Sequence, residues 1–296
     1  MVYACIDIGS NTTRLLVADS SEAPLHQMVA ERSFTRIGRS LDADGRIPKD
    51  KIAETAKVVG HQARLAREAG ATQVMAVATA AVRDAMNREE LVAAVQAAAE
   101  VELVVIDSTE EARLSFVGAT RTLPEPAVGT IAVIDVGGGS TEIAVGAPDG
   151  TVEWSHSVPV GSGVLADAHL HSDPPTSAEL DGARAHVSGL FEGLSPPAAA
   201  TAVAVGGTAT SLHRLVGPAL TSETLSDAVD VLSRAPAREV ARRFELDPER
   251  VRLLPAGIIV LGAVCGCLGL PMHVARGGLR EGVILELMER SEAGAA

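Results

Sequence analysis

The segment IDIGSNTTRLL (Ile6–Leu16) recurs, changed in letters but aligned in kind, as IDVGGGSTEIA (Ile134–Ala144), 128 residues later. Each copy runs from an apolar strand to an Asp, a turn rich in Gly, Ser and Thr, and a second apolar strand, the pattern of a β-hairpin. Gly9 aligns with Gly137, and Ser10, Asn11, Thr12 and Thr13 align with Gly138, Gly139, Ser140 and Thr141. Two such hairpins predict duplicated domains. Glycines let backbone N–H groups converge on an anion, and the hydroxyls add donors, so both turns suit phosphate. Asp7 and Asp135 precede the turns, where a carboxylate can hold Mg²⁺ or its water. Arg14 falls opposite Glu142 in the alignment. One turn thereby gains a cation for phosphate oxygens, and the other a second carboxylate for a metal. Ordinary hairpin turns use the same residue types. The shared order in two copies, and a third glycine turn at VGGTATS (Val205–Ser211) with Gly206, Gly207 and Thr208, favour phosphate binding.

Around the first copy the pattern alternates. Asp50 to Ala69 has helical apolar spacing, QVMAVATAAVR (Gln73–Arg83) reads as a buried strand running into a turn, and Arg88 to Glu100 is an Ala-rich helix. The short strand VELVVID (Val101–Asp107) follows. Strand and helix in alternation predict a layered α/β domain. The Pro-rich break TLPEPAVG (Thr122–Gly129) divides the chain into domains 1–124 and 125–296, and Arg280 to Arg290 forms a last helix.

Hydrophobic residues at 47% and charged residues at 21% indicate a globular chain. Aromatics at 2% argue against stacking platforms for single-stranded nucleic acid. The net charge of -13 offers nothing to duplex DNA. Residues 1–100 carry 12 Lys and Arg against 13 Asp and Glu, while the remainder carries 13 against 25. Any anion site should therefore draw its cations from the first third. Arg32, Arg36 and Arg39 fit either a polyanion track or a solvated face. Cys5, Cys265 and Cys267 cannot build a disulfide framework, and Cys265 and Cys267 read as small residues of an apolar segment. His169 and His171 read as surface histidines. The apolar run Ala256–Leu270 holds glycines and is short for a bilayer. With no charged leader ahead of the first strand, a soluble cytoplasmic protein without a membrane partner is expected.

The two turns, with ATAAVRDAMN (Ala78–Asn87), STEEARLSF (Ser108–Phe116), AVGGTATSL (Ala204–Leu212) and GLREGVILELM (Gly278–Met288), resemble the exopolyphosphatase/guanosine pentaphosphate phosphatase family in its short two-domain form. The resemblance implies two ribonuclease-H-like α/β domains of the actin-like ATPase superfamily around a cleft, and a homodimer. It also allows the last helix, about 279–291, to return to the first domain. It implies that Glu111 is the general base toward water and that Asp135 and Glu142 sit at a Mg²⁺ or Mn²⁺ ion. Arg83, with Arg14, then reaches phosphate oxygens, as do the turns Asp7–Thr12 and Gly137–Thr141 and the Gly206–Thr208 element. By the residues alone, Glu110 and Glu111 equally suit a solvated helix start, and Arg83 a pair with Asp84 or Glu90.

The resemblance implies inorganic polyphosphate as substrate, or pppGpp, with ppGpp as a related ligand. An ATP-dependent kinase of the same superfamily would share the turns, but EEAR (Glu110–Arg113) points to water as acceptor. A sensor of polyphosphate or an alarmone would not need Glu111, Asp135 and Glu142 together.

Overall fold

The computed structural model describes residues 1–19 and 25–295. The chain divides into unit 1, Met1–Glu125 with Gly277–Ala296, and unit 2, Pro126–Arg276. The division falls at Glu125/Pro126, and the final segment from Gly277 lies with unit 1.

Unit 1 contains β1 (Val2–Ile8), β2 (Thr13–Asp19), β3 (His26–Ser33), α1 (Ile37–Ser40), α2 (Lys49–Glu68), β4 (Gln73–Ala78), α3 (Ala80–Arg83), α4 (Arg88–Ala99), β5 (Glu102–Val105) and α5 (Ser108–Thr120). Its sheet order is β3-β2-β1-β4-β5, antiparallel among the first three strands and parallel from β1 to β5. Strand β1 is buried on both faces, which explains its unbroken apolar run. On one face Ile6, Ile8, Leu15 and Val17 meet α2, whose Ile52, Ala56, Val59, Ala63 and Ala66 form the buried stripe.

Unit 2 follows with β6 (Ile131–Val136), β7 (Thr141–Gly146), β8 (Val152–Val158), α6 (Ser162–His169), α7 (Ser177–Phe191), β9 (Thr201–Val205), α8 (Gly206–Val216), β10 (Ala219–Leu220), α9 (Ser222–Arg234), α10 (Ala237–Phe244), α11 (Pro248–Leu268) and β11 (Met272–Val274). Read from β8, its sheet runs β8-β7-β6-β9-β11-β10. This repeats the order and directions of unit 1 with one strand added. Among the described residues α11 is the one helix long and apolar enough to cross a membrane. Leu254, Ile258, Leu261 and Val264 instead bury it in the core of this unit.

The third glycine turn is the opening of a helix. Val205 ends β9, and α8 starts at Gly206 with Thr208, Ala209, Ser211 and Leu212 buried at helical spacing. A turn reading fails here because the apolar period changes from two to 3.6 directly after the glycines.

The last helix, α12 (Leu279–Ala295), completes the other face of the unit 1 sheet. Leu279, Val283, Ile284 and Leu287 pack with Tyr3, Cys5, Leu16 and Leu114. Its backbone lies so close to α5 that a Cβ on Gly118 would overlap Gly278 O, and one on Gly282 would overlap Leu114 O. Arg113 bridges Glu110 and Glu286, and Arg121 pairs with Glu289, which fixes the helix along its length.

Candidate active site

The two hairpins are the same object. In each, the first Gly donates its N–H to the last turn residue at 3.0 Å, Gly9 to Thr12 O and Gly137 to Ser140 O. Asp7 then faces Arg14 across the ladder, and Asp135 faces Glu142. Directly paired residues leave a sheet on one face. The rows extend to the third strand: Arg32 beside Arg14 in unit 1, Ser157 beside Glu142 in unit 2. One row carries two cations and a carboxylate, the other two carboxylates and a hydroxyl.

In unit 1 the parallel strands aim their carboxyl ends at the first turn, where ligands of open α/β sheets bind. Asp107 caps α5 by accepting from Glu110 N at 2.8 Å, and this fixes the start of the helix. Glu111 is then turned inward and is 8% exposed, while Glu110 goes outward to Arg113. Arg83, at the end of α3, donates to Glu111 Oε2 at 2.9 Å and to Ile106 O at 3.3 Å. Asp84 lies 3.6 Å from the same guanidinium, and Glu90 pairs with Arg46 instead. A carboxylate this buried needs such a counter-charge. Ser10 and Thr12 are buried in the turn. Arg280 and Glu281 of α12 stand near Asp7 and Cys5; burial first, and then the charge of Asp7, push the Cys5 thiol well above its usual range. That thiol is inert.

In unit 2, Glu142 is 2% exposed and accepts from Ser157 Oγ at 2.8 Å. Asp135, the penultimate residue of β6, pairs with Val205, and its Oδ1 lies where a Cβ of Gly206 would stand. Gly206 has φ +80, a conformation that only glycine adopts without cost. Asp135 therefore sits at the N-terminus of α8, an eleven-residue helix whose first N–H groups attract anions. The segment after β8 closes over the second turn, with Ser162 N on Gly137 O at 2.9 Å and Gly163 N on Gly138 O at 3.0 Å.

Like charges directly opposite destabilise a sheet. A divalent cation relieves them, and Mg²⁺ is satisfied by one or two carboxylates with water and substrate phosphate. Asp135 and Glu142 fit that donor set. Among the described residues no group of three or more His, Cys, Asp and Glu gathers elsewhere for a metal.

Sequence reasoning missed Arg250. Its guanidinium, on α11 and 7% exposed, lies against Gly207, whose Cβ would stand 2.6 Å from Nη2. This cation is thus stationed at the start of α8. A buried Arg in an otherwise apolar helix was the available signal. Also missed was the pair Gly161 and Gly163 of VGSGV (Val160–Val164), which the close approach to the second turn demands. His169, expected at the surface, is half-buried and packs on the His186 ring at 4.9 Å.

The chain is similar to Exopolyphosphatase 1 of Mycobacterium tuberculosis, 31% identical over 317 residues, with 100% of this chain and 91% of that protein covered. It is 37% identical to Exopolyphosphatase 2 of the same organism over 258 residues, 80% of this chain and 76% of that one. A solved Aquifex aeolicus member of the Ppx/GppA protein family matches with a TM-score of 0.81 at 28% identity, covering 98% of each chain. Residues 16–291 match the profile of the Ppx/GppA phosphatase family. With its duplicated ribonuclease-H-like sheets and this match across nearly its whole length, the chain belongs to the Ppx/GppA phosphatase family.

Proposed function

We propose that the protein is an exopolyphosphatase, which releases terminal orthophosphate from inorganic polyphosphate by attack of water. The observation that carries this reading is the unequal pair of rows, Asp7–Arg14 in one hairpin and Asp135–Glu142 in the other. Phosphoryl transfer depends on positioning and charge neutralisation more than on covalent help from the protein. Turn N–H groups, the start of α8, Arg14 and Arg250 supply donors for phosphate oxygens. Arg83 serves in part through Glu111, which it holds. Glu111 orients the water and takes its proton as the new P–O bond forms. The bridging P–O bond breaks, and its electron pair leaves on the shortened chain. Asp135 and Glu142 would hold Mg²⁺, or Mn²⁺ in its place, which neutralises charge on the transferred group when bound. We place the reaction in the cytoplasm and expect a homodimer.

A second reading is hydrolysis of pppGpp at its 5′ end, supported by membership in a family named for both activities. Orthophosphate release from polyphosphates of defined length and from pppGpp, compared by kcat/KM, tests the assignment. Polyphosphate is expected to be preferred, and a strong preference for pppGpp overturns it.

A further inference from the structure

The last helix covers the unit 1 sheet row by row and stops short of the first turn. On the β1–β2 ladder it packs against two rows, Tyr3 with Ala18 and Cys5 with Leu16. Side chains two apart on a strand share a face. The next row on that face is therefore Asp7–Arg14. Far along the helix, Gln73 at the start of β4 donates to Ser291 Oγ at 2.8 Å. The opening turn of α12 is thus the part that lies at the Asp7–Arg14 row.

Arg280 stands in that opening turn, on the apolar stripe itself. It precedes Val283, Ile284 and Leu287 at helical spacing, where an aliphatic side chain would simply extend the core. Its side chain is 14% exposed. A guanidinium has five N–H donors. Among the described residues Arg280 makes one hydrogen bond, from Nη1 to Leu15 O at 3.2 Å. Glu281 Oε1, at 4.0 Å from Nη2, is beyond hydrogen-bond reach, and Glu281 instead accepts from Gly278 N at 3.0 Å. A cation so enclosed and so lightly bonded returns little stability for the water it gives up. Its one hydrogen bond grips β2 a single residue past Arg14. The charges of Asp7, Arg280 and Glu281 all act on the Cys5 thiol, which gathers the three around one buried point.

We propose that Arg280 is a positioning residue for Arg14: it holds β2 against the last helix, so that the Asp7–Arg14 row keeps its place beside the first turn. The proposal rests on the exopolyphosphatase reading, in which Arg14 donates to phosphate oxygens, and adds the last helix to that machinery. A misplacement of about 1 Å is enough to lose much of the value of a contact at a reacting group. Arg280 acts through the backbone of β2, so a single donor carries its role. The planar fork that distinguishes arginine is not needed for that, and a lysine can supply the donor.

The test measures melting temperature and the kinetics of orthophosphate release from polyphosphate for R280M, R280K, R14Q, R14Q/R280M and R121Q. R280M continues the apolar stripe, so its melting temperature should hold or rise. Its KM should nonetheless rise about tenfold, the worth of a charge-assisted hydrogen bond. A melting temperature that falls in step with activity assigns Arg280 to folding alone and overturns the proposal. R280K should return KM to within about threefold of wild type, because it restores one donor. If R280K is as impaired as R280M, the fork itself is needed and the positioning role is wrong. R14Q/R280M should lie within about twofold of R14Q, since Arg280 acts through Arg14, and multiplied losses count against that. R121Q loses the pair with Glu289 elsewhere on the helix and should leave KM unchanged. A rise equal to that of R280M would make any loosening of α12 sufficient and remove the special role of Arg280. Wild-type kinetics in R280M overturn the inference and leave the exopolyphosphatase reading standing. A wild-type protein that releases no orthophosphate from any polyphosphate overturns that reading itself, and the inference with it.

Discussion

Arg83 and Glu111 form a largely buried ion pair at 2.9 Å, with their side chains 18% and 11% exposed. A structural cation thereby becomes part of the reaction's machinery, because the carboxylate it holds is the one proposed to activate water. Arg83→Met takes the guanidinium away from a buried carboxylate. Stability should fall by about 3 kcal/mol in urea titration, and kcat by about a hundredfold or more. Glu111→Gln should abolish turnover to a similar degree while polyphosphate binding persists. The double variant should regain stability relative to Arg83→Met and lose no further activity than Glu111→Gln. Additive losses in activity would show that the two residues do not act as a unit.

The carboxylate pair of unit 2 predicts the opposite sign for stability. Glu142→Gln removes one charge from the Asp135–Glu142 row and leaves an amide oxygen for Ser157. In metal-free buffer the melting temperature should rise by roughly 2–4 °C, as expected for about 1 kcal/mol. Orthophosphate release should fall by about a hundredfold. A residue that improves folding when it is removed, yet is needed for turnover, is kept for its function. A lower melting temperature counts against the repulsion argument.

Gly206 and Gly217 separate backbone cost from contact. Both have positive φ, +80 and +86, but a Cβ on Gly217 meets nothing within 4 Å, whereas one on Gly206 strikes Asp135. Gly217→Ala should cost about 1–2 kcal/mol and leave activity intact. Gly206→Ala should cost more and also displace the Asp135 carboxylate, so activity is lost well beyond the loss of folded protein. Equal kcat in the two variants would remove Asp135 from the mechanism.

Glu179 gives a pH signature far from the site. Hydrogen bonds from Thr176 N, and then from His171 N, Thr176 Oγ1 and Ser172 N, lower its pKa to about 2. A depressed carboxylate stabilises the fold fully above its unfolded value near 4.5, and the benefit disappears as pH falls from there towards 2. The difference in melting temperature between wild type and Glu179→Gln should be constant at neutral pH and close over that acid interval. A difference independent of pH would assign the effect to packing.

The strand-turn-strand repeat was legible because Asp and glycine stand at fixed offsets in a buried apolar run. The inward turn of Glu111 was not. Glu110 and Glu111 are alike in sequence, and only the Asp107 cap and the depth of α5 separate them. Gly118 and Gly282 look like ordinary helix-weakening residues on paper. Their purpose lies in a backbone approach between segments more than 150 residues apart in the chain. Arg250 escaped for the same reason, since its partner at Gly207 is remote in sequence. Local periodicity reports elements and their faces, and it is silent about which faces meet.

Unit 1 is assembled from both ends of the chain, and unit 2 is an uninterrupted stretch. On a ribosome the order of synthesis therefore differs from the order of completion. By the time Arg276 has emerged, every strand of the second sheet is available to pair. Tyr3, Cys5 and Leu16, made first, still lack the helix that covers them. Chains truncated after Arg276 and released should protect unit 2 from protease while unit 1 remains open to it. Until its last helix is made, the earliest-synthesised sheet is the one exposed to aggregation and to chaperones.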